Sequence, residues 1–374
     1  MGISYLYLHL VMSNKYHQID ARELHEFTTD VFLAMGLSQS DAVLASDVLN
    51  SADLRGIDSH GVARLSGYVR LWKAKRIKAD ANPTIIHETH TTATMDGDEG
   101  LGLTNAAKAM DIAIEKARVH GSGWVAIQNS NHFGIAAFHA MKALEHNMIG
   151  MSLTNASPLV SPTFSKERLL GTNPICYAIP AGERDPVVID MATSAAANGK
   201  LQIAERKGEE IPTGWLQDNE GKNTNDPKGL KGGGSLLTLG STKEMGSHKG
   251  YGLSAFVDIF CGVLSGANYG PWVPPFVSFL PLAPDMPGKG IGHFVGAIRV
   301  DGFRPLEEFN KNMDQWIDRF KSSETIEGQE EVIIPGEPEK RQEAIRRNEG
   351  IPVIDKVYDD LRDVAKDLGV EFNL

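Results

Sequence analysis

The sequence predicts an α/β protein with a substantial helical part, and three observations predict it. Apolar residues at helical spacing dominate the N-terminal stretch up to about residue 74. From residue 81 the texture changes to β-rich alternation, including a strand–loop–helix–strand run within about 30 residues. After Pro305 charged amphipathic helices return.

Asp20 and Glu23 have capping-box spacing before a helix over 21–35, which Gly36 closes. Ser38 and Asp41 open a second helix whose Val43, Leu44, Val48 and Leu49 share a face. A third, over 62–74, carries Leu65, Val69 and Trp72 on one side. Between the last two lies the polar, glycine-flanked joint Arg55-Gly56-Ile57-Asp58-Ser59-His60-Gly61. Strands follow near 83–86 and 91–95, then a helix over 104–119 ended by His120-Gly121. The strand 124–127, the loop Asn131-His132-Phe133-Gly134, a helix to about Asn147 and the strand 149–153 complete a βαβ pattern. Further strands are expected at 175–179, 187–191 and 294–300. The polar stretch 205–234 reads as an exposed excursion, and 249–265 as a buried helix with Leu253, Phe256, Val257, Phe260, Val263 and Leu264 inward. The expected domains are a helical segment, 13–85 joined by 305–374, and an α/β domain, 86–304.

At 374 residues the chain has room for two or three structural units. Hydrophobic residues at 41% and charged residues at 23% exclude the disordered and fibrous classes. A net charge of −11 argues against nucleic acid or an anionic membrane as the main partner. The two cysteines, Cys176 and Cys261, sit in apolar stretches, so neither a disulfide framework nor a zinc site is expected, and the setting expected is reducing and cytoplasmic. No apolar run reaches the roughly 20 residues that a bilayer needs. The opening MGISYLYLHLVM is apolar but short, and is read as an extension before a start at Met12.

Five stretches carry candidate chemistry. In Asp58-Ser59-His60-Gly61-Val62-Ala63-Arg64 the histidine can move a proton and the serine can orient its ring. Arg64, four residues on, can grip a carboxylate with two parallel hydrogen bonds. The competing account has Asp58 or Ser59 capping the next helix and Arg64 in a surface ion pair. His132-Phe133-Gly134 lies where a strand ends and a helix starts, a place where α/β folds put ligands, or is an ordinary turn. Gly171-Thr172-Asn173-Pro174 offers hydrogen-bonding groups that turn chemistry alone would also explain. Asp190, in Ile189-Asp190-Met191-Ala192-Thr193-Ser194, can accept from hydroxyls or cap a helix. Lys249, among glycines at a helix start, suits a phosphate or is a flexible-loop lysine.

Neither a Walker loop nor a G-x-G-x-x-G between strand and helix occurs, which disfavours the ordinary Rossmann arrangement. A G-x-S-x-G nucleophile elbow is absent, and no acids or histidines have metal spacing, so no metal is expected.

Taken in order, D-S-H-G-V-A-R at 58–64, N-H-F-G at 131–134, G-T-N-P at 171–174, I-D-M-A-T-S at 189–194 and H-K-G-Y-G-L at 248–253 resemble the malate/L-lactate dehydrogenase family of non-Rossmann NAD(P)-dependent oxidoreductases, over residues of about 15 to 350. The resemblance implies a mixed-sheet, sulfolactate dehydrogenase-like nucleotide-binding domain with a helical domain, and a homodimer. It implies hydride transfer between NAD, with NADP as the alternative, and a small 2-hydroxy acid, malate foremost. Ureidoglycolate, sulfolactate or lactate oxidation and NADPH-dependent reduction of a cyclic imino acid stay open, as does a non-catalytic binding protein.

Carried over by position, His60 would move the proton with Ser59 as relay, and His132 is the second candidate for that role. Arg64 and Thr172 would contact substrate. So would Asn198 and Gly199, although relatives often carry Arg-Gly there. Cofactor contacts would come from His132, Phe133, Gly134, Ile135, Ala136, Asp190, Met191, Ala192 and Lys249, with Gly336 and Glu337 from a loop that closes over it. Ala156 stands where some relatives have a cofactor-binding serine, which leaves the backbone or Ser157 for that contact. A second carboxylate on the substrate would call on Arg55, Arg168 or Asn198. An unperturbed histidine would titrate at about 6–7, so activity is expected to change near neutrality.

Overall fold

A computed structural model of the chain describes residues 16–278 and 280–374; the reading of the first twelve residues lies outside them. In chain order the strand β1 (Tyr16–Ile19) precedes the helices α1 (Ala21–Ala34), α2 (Gln39–Leu54) and α3 (Leu65–Lys73). Then come β2 (Thr84–Glu88), β3 (Thr92–Asp96), α4 (Gly102–His120), β4 (Ser122–Ser130), α5 (Ala136–Met141), β5 (Met148–Thr154), β6 (Ile175–Ile179) and β7 (Val187–Met191). The middle of the chain adds α6 (Asn198–Lys207), the short strands β8 (Leu216–Gln217), β9 (Asn223–Thr224) and β10 (Ser235–Leu236), and α7 (Ser247–Asp258). The remainder is β11 (Ile291–Arg299), α8 (Leu306–Lys321), α9 (Glu337–Glu349), β12 (Ile351–Ile354) and α10 (Asp355–Leu368).

The chain divides into two compact units, one running through Asp80 together with Pro338–Leu374, the other Ala81–Glu337. In the helical unit Asp20 caps α1 by accepting from the N–H groups of Arg22 and Glu23, and Ser38 caps α2 by accepting from that of Asp41. The expected third helix starts as a 3₁₀ turn, Val62–Arg64, before α3 takes over. Phe32 and Tyr68 pack at 6.4 Å in its interior. Helical spacing gave no hint of the antiparallel pair β1–β12, in which Tyr16 opposes Ile354.

The larger unit holds a seven-stranded mixed sheet in the order β2-β3-β4-β11-β5-β6-β7. β3 and β4 are parallel, and β11 is antiparallel to both β4 and β5. β5, β6 and β7 follow in antiparallel pairs, so β3, β4, β5 and β7 all run one way. The βαβ pattern is present as β4–α5–β5, with β11 inserted between its strands. Helix α4 packs Ala109, Met110, Ala113 and Ile114 against Val125, Ile127 and Val295 of the sheet. Gly123 permits that approach, because a Cβ there would lie 2.0 Å from the Ala113 carbonyl oxygen.

Three expectations are corrected. Residues 305–337 belong to the larger unit, because α8 buries Ile317 with Val187 and Ile334. Asp314 on α8 also accepts the backbone N–H groups of Gly182, Glu183 and Arg184 at 3.0, 2.9 and 3.1 Å. The polar stretch 205–234 is more than an excursion: β8, β9 and β10 form a small sheet, and Leu201, Ile211, Leu216 and Leu236 bury a core of their own. Finally, α7 passes into a π-helical turn, Ile259–Val263, and only part of its apolar circumference is covered. Val257 and Cys261 are buried, whereas Leu253, Val263 and Leu264 are 38%, 55% and 57% exposed.

Candidate functional site

In the helical unit the turn between α2 and α3 is held from below by two buried side chains that the sequence did not single out. Asp53, near the end of α2, accepts the Val62 N–H at 2.7 Å. Burial pushes its carboxyl well above the usual carboxylate range against the opposing pull of that hydrogen bond. Gly61 packs so tightly over it that a Cβ would lie 1.9 Å from Asp53 Oδ1. Arg346 of α9 donates to the Asp53 carbonyl at 2.5 Å and pairs with the Asp58 carboxylate. Asp58 is therefore an ion-pair partner, not a helix cap. The available signal was weak: one acid nine residues before Val62 and one arginine almost 300 residues away.

Above these supports the structure brings Ser59, His60 and Arg64 together. Ser59 Oγ lies 2.9 Å from His60 Nδ1, and Arg64 Nε donates to the Ser59 carbonyl at 2.5 Å. Burial, reinforced by the Arg64 charge, lowers the His60 pKa to about 4. That corrects the expectation of a group titrating near neutrality, which assumed an unperturbed ring. At neutral pH His60 is a neutral base beside a cation. With the Nδ1 proton donated to Ser59 Oγ, Nε2 holds the lone pair that can take a proton from a hydroxyl.

In the larger unit the candidates from three loops converge beyond the carboxyl ends of β4, β5 and β7, where α/β sheets receive ligands. Asp190 accepts the Ala137 N–H at 2.9 Å and so joins β7 to the start of α5. Thr193 donates through its N–H and its hydroxyl to the Thr172 carbonyl, at 2.9 and 3.1 Å. Buried Asn173 accepts from Ala156 N–H at 3.1 Å and donates to the Ser254 carbonyl of α7 at 3.0 Å. The 131–134 loop is tied at both ends. Asn131 donates to the carbonyls of Glu99 and Gly100, and Gly134, at φ +79°, donates its N–H to His132 Nδ1 at 3.3 Å. His132 also packs on Phe276 at 4.7 Å. Ile135 and Ala136 are buried, and Met191 is exposed at the end of β7.

Lys249 is exposed in the first turn of α7, which has no side-chain cap and starts from Gly246 at φ +91°. That helix start reaches the same neighbourhood through the segment 238–240: Thr238 donates to the Ser247 carbonyl and Leu239 N–H to that of Thr193. Pro335 lies on β7, where its carbonyl accepts the Val188 N–H at 3.0 Å, and Gly336 sits against Val188 at φ +97°. The Glu337 carboxylate caps the Ile334 N–H and pairs with Lys321, so it braces the loop. Asn198 and Gly199, half-buried, open α6.

Two candidates for a second substrate carboxylate change standing. Arg168 is committed to the carbonyls of Gly234 and Leu230, and Arg55 is buried facing Glu343. Among the described residues no group of three or more histidines, cysteines or acids is placed to hold a metal ion.

The sequence profile of the malate/L-lactate dehydrogenase family matches residues 19–362. The chain belongs to that family. It is 42% identical to the malate dehydrogenase of Pyrococcus abyssi over 361 residues, covering 96% of this chain and 97% of that protein. Its fold matches the crystal structure of malate dehydrogenase from Entamoeba histolytica with a TM-score of 0.89 at 34% identity, over 96% of this chain and 100% of the other. Sulfolactate dehydrogenase from Methanocaldococcus jannaschii matches with a TM-score of 0.86 at 35% identity, over 95% and 98%. The mixed-sheet α/β architecture that the resemblance implied is therefore the fold of this dehydrogenase family.

Proposed function

We propose that the protein oxidises a small 2-hydroxy acid, malate foremost, to the 2-oxo acid with NAD as hydride acceptor. The observation that carries this reading is the Ser59–His60–Arg64 arrangement, in which a neutral imidazole with a hydroxyl on Nδ1 stands beside a guanidinium. Arg64 holds the substrate carboxylate, and Nε2 of His60 takes the hydroxyl proton while Ser59 fixes the ring. A positioned acid–base group of this kind contributes about 10²–10⁴-fold. Thr172 adds a substrate contact, and Asn198 with Gly199 is assigned to the far end of the substrate.

The residues of the larger unit fit a nicotinamide dinucleotide by their chemistry. An exposed carboxylate, Asp190, suits hydroxyls, and the uncapped glycine-started turn with Lys249 suits phosphate. Gly134 leaves the backbone open to close approach. His132, Phe133, Gly134, Ile135, Ala136, Met191, Ala192 and Gly336 complete the set, with Glu337 bracing it. The bound nicotinamide supplies the hydride-accepting carbon. His132, whose Nδ1 is engaged by Gly134, belongs to the cofactor loop, and His60 moves the proton.

We assign the working protein as a homodimer. The exposed apolar run of Leu253, Ile259, Val263 and Leu264 on α7 and its extension is the kind of surface that a second subunit covers. No described helix is long and apolar enough to cross a membrane. Both cysteines are buried and neither is in a disulfide, which suits a reducing cytoplasm.

The test is a matrix of NAD and NADP against malate, sulfolactate, lactate, ureidoglycolate and, in the reducing direction, a cyclic imino acid. Malate-dependent NADH formation with the highest kcat/KM supports the assignment. NADPH consumption by the imino acid with no alcohol oxidation overturns it.

A further inference from the structure

Phe133 lies at the centre of the 132–136 loop, and two buried histidines outside the assigned machinery grip it. Its ring packs on the imidazoles of both His139 and His293, with centroids 4.8 and 4.9 Å away, the second nearly parallel at 14°. His293 is held at both nitrogens, by Thr154 Oγ1 at 2.8 Å and Ser130 Oγ at 2.9 Å, and so bridges the ends of β5 and β4. Both rings are fully buried and neutral: burial lowers the His139 pKa to about 4 and the His293 pKa to about 3.

His139 differs from His293 in one respect. Its Nε2 lies 2.8 Å from the Phe133 carbonyl oxygen. A carbonyl only accepts, so the proton is on Nε2 and Nδ1 is the bare acceptor. That Nδ1 is buried and makes no hydrogen bond within the protein. An apolar residue of similar size would fill this space without a stranded nitrogen, which is costly to bury. The use of an imidazole here is the bond from Nε2 to the Phe133 carbonyl.

We propose that His139 is a positioning residue for the cofactor: its Nε2–H pins the Phe133 carbonyl and thereby holds the 132–136 loop in the shape that binds a nicotinamide dinucleotide. The inference rests on the cofactor reading of that loop. A misplacement of about 1 Å caused far from the chemistry can cost about 10²-fold in rate, so a loop that positions the cofactor has to be held closely.

The experiment compares His139→Gln, whose amide nitrogen reaches about as far as Nε2, with His139→Leu, which has no donor. NADH and NADPH are titrated separately into the full-length proteins by nucleotide fluorescence, and thermal unfolding is followed in parallel. The expected result is a rise of about tenfold or more in Kd for the preferred dinucleotide in His139→Leu, with His139→Gln within about threefold of the original protein. If His139→Leu does not fold, His139→Asn takes its place; its shorter amide cannot reach the carbonyl, and it should weaken binding as the leucine would. Binding within about twofold in the donor-less variant overturns the proposal. So does equal weakening in both variants that follows their loss of Tm. Failure of the original protein to bind either dinucleotide overturns the cofactor reading and this inference with it.

Discussion

Ser59 Oγ stands 2.9 Å from Nδ1 of His60, so the hydroxyl, not a carboxylate, faces the inner nitrogen of the ring. A carboxylate there would raise the imidazole's basicity, whereas a hydroxyl chiefly fixes tautomer and orientation. Ser59→Ala should therefore lower kcat about tenfold with little change in KM. His60→Asn, which removes the proposed base, should cost about 10²–10⁴-fold in kcat. Steady-state kinetics of the two variants check this. Equal losses would mean that the serine does more than orient.

The pKa of His60, lowered to about 4 by burial and by Arg64, sets the direction of the pH dependence. In the role proposed for His60 the neutral form is the base, so hydroxy-acid oxidation should be lost as pH falls through about 4 and be insensitive to this group above it. The kcat/KM profile, which reports the free enzyme, should be flat from about pH 5 to 8. A limb at 6–7 would show that the ring titrates as it does in water.

Arg64 uses Nε to hold the Ser59 carbonyl at 2.5 Å, and the rest of its guanidinium is what can face a carboxylate. Lysine keeps the charge but cannot brace the turn and grip two oxygens at once. Arg64→Lys should lower kcat/KM for the hydroxy acid by about 10²-fold while the dinucleotide Kd stays unchanged. Near-normal turnover in this variant removes the carboxylate role.

What could be read from the sequence was local. Capping at Asp20 and Ser38, the strand bounds at Ile175–Ile179 and Val187–Met191, and the grouping of Ser59, His60 and Arg64 all follow from residues a few positions apart. What escaped was long-range. β11 inserts between β4 and β5 from far downstream, Arg346 reaches the turn from α9, and Arg168 is spent on the 230–234 loop. The exposed apolar residues of α7 escaped for a different reason. Helical spacing says that residues share a face, but not whether anything covers it.

Gly61 offers a test of how the work is divided between the two units. A methyl group at this position meets the Asp53 carboxylate at 1.9 Å, and Asp53 cannot retreat without releasing the Val62 N–H. Gly61→Ala should destabilise the protein by about 1–3 kcal/mol, the usual cost of overpacking, and displace the turn that carries Ser59 and His60. The proposed dinucleotide residues lie in the other unit, so NADH affinity should survive while kcat/KM falls at a temperature where the variant is fully folded. Urea unfolding, NADH titration and turnover on one preparation check all three. Parallel loss of NADH affinity and turnover in folded protein would refute this division of labour.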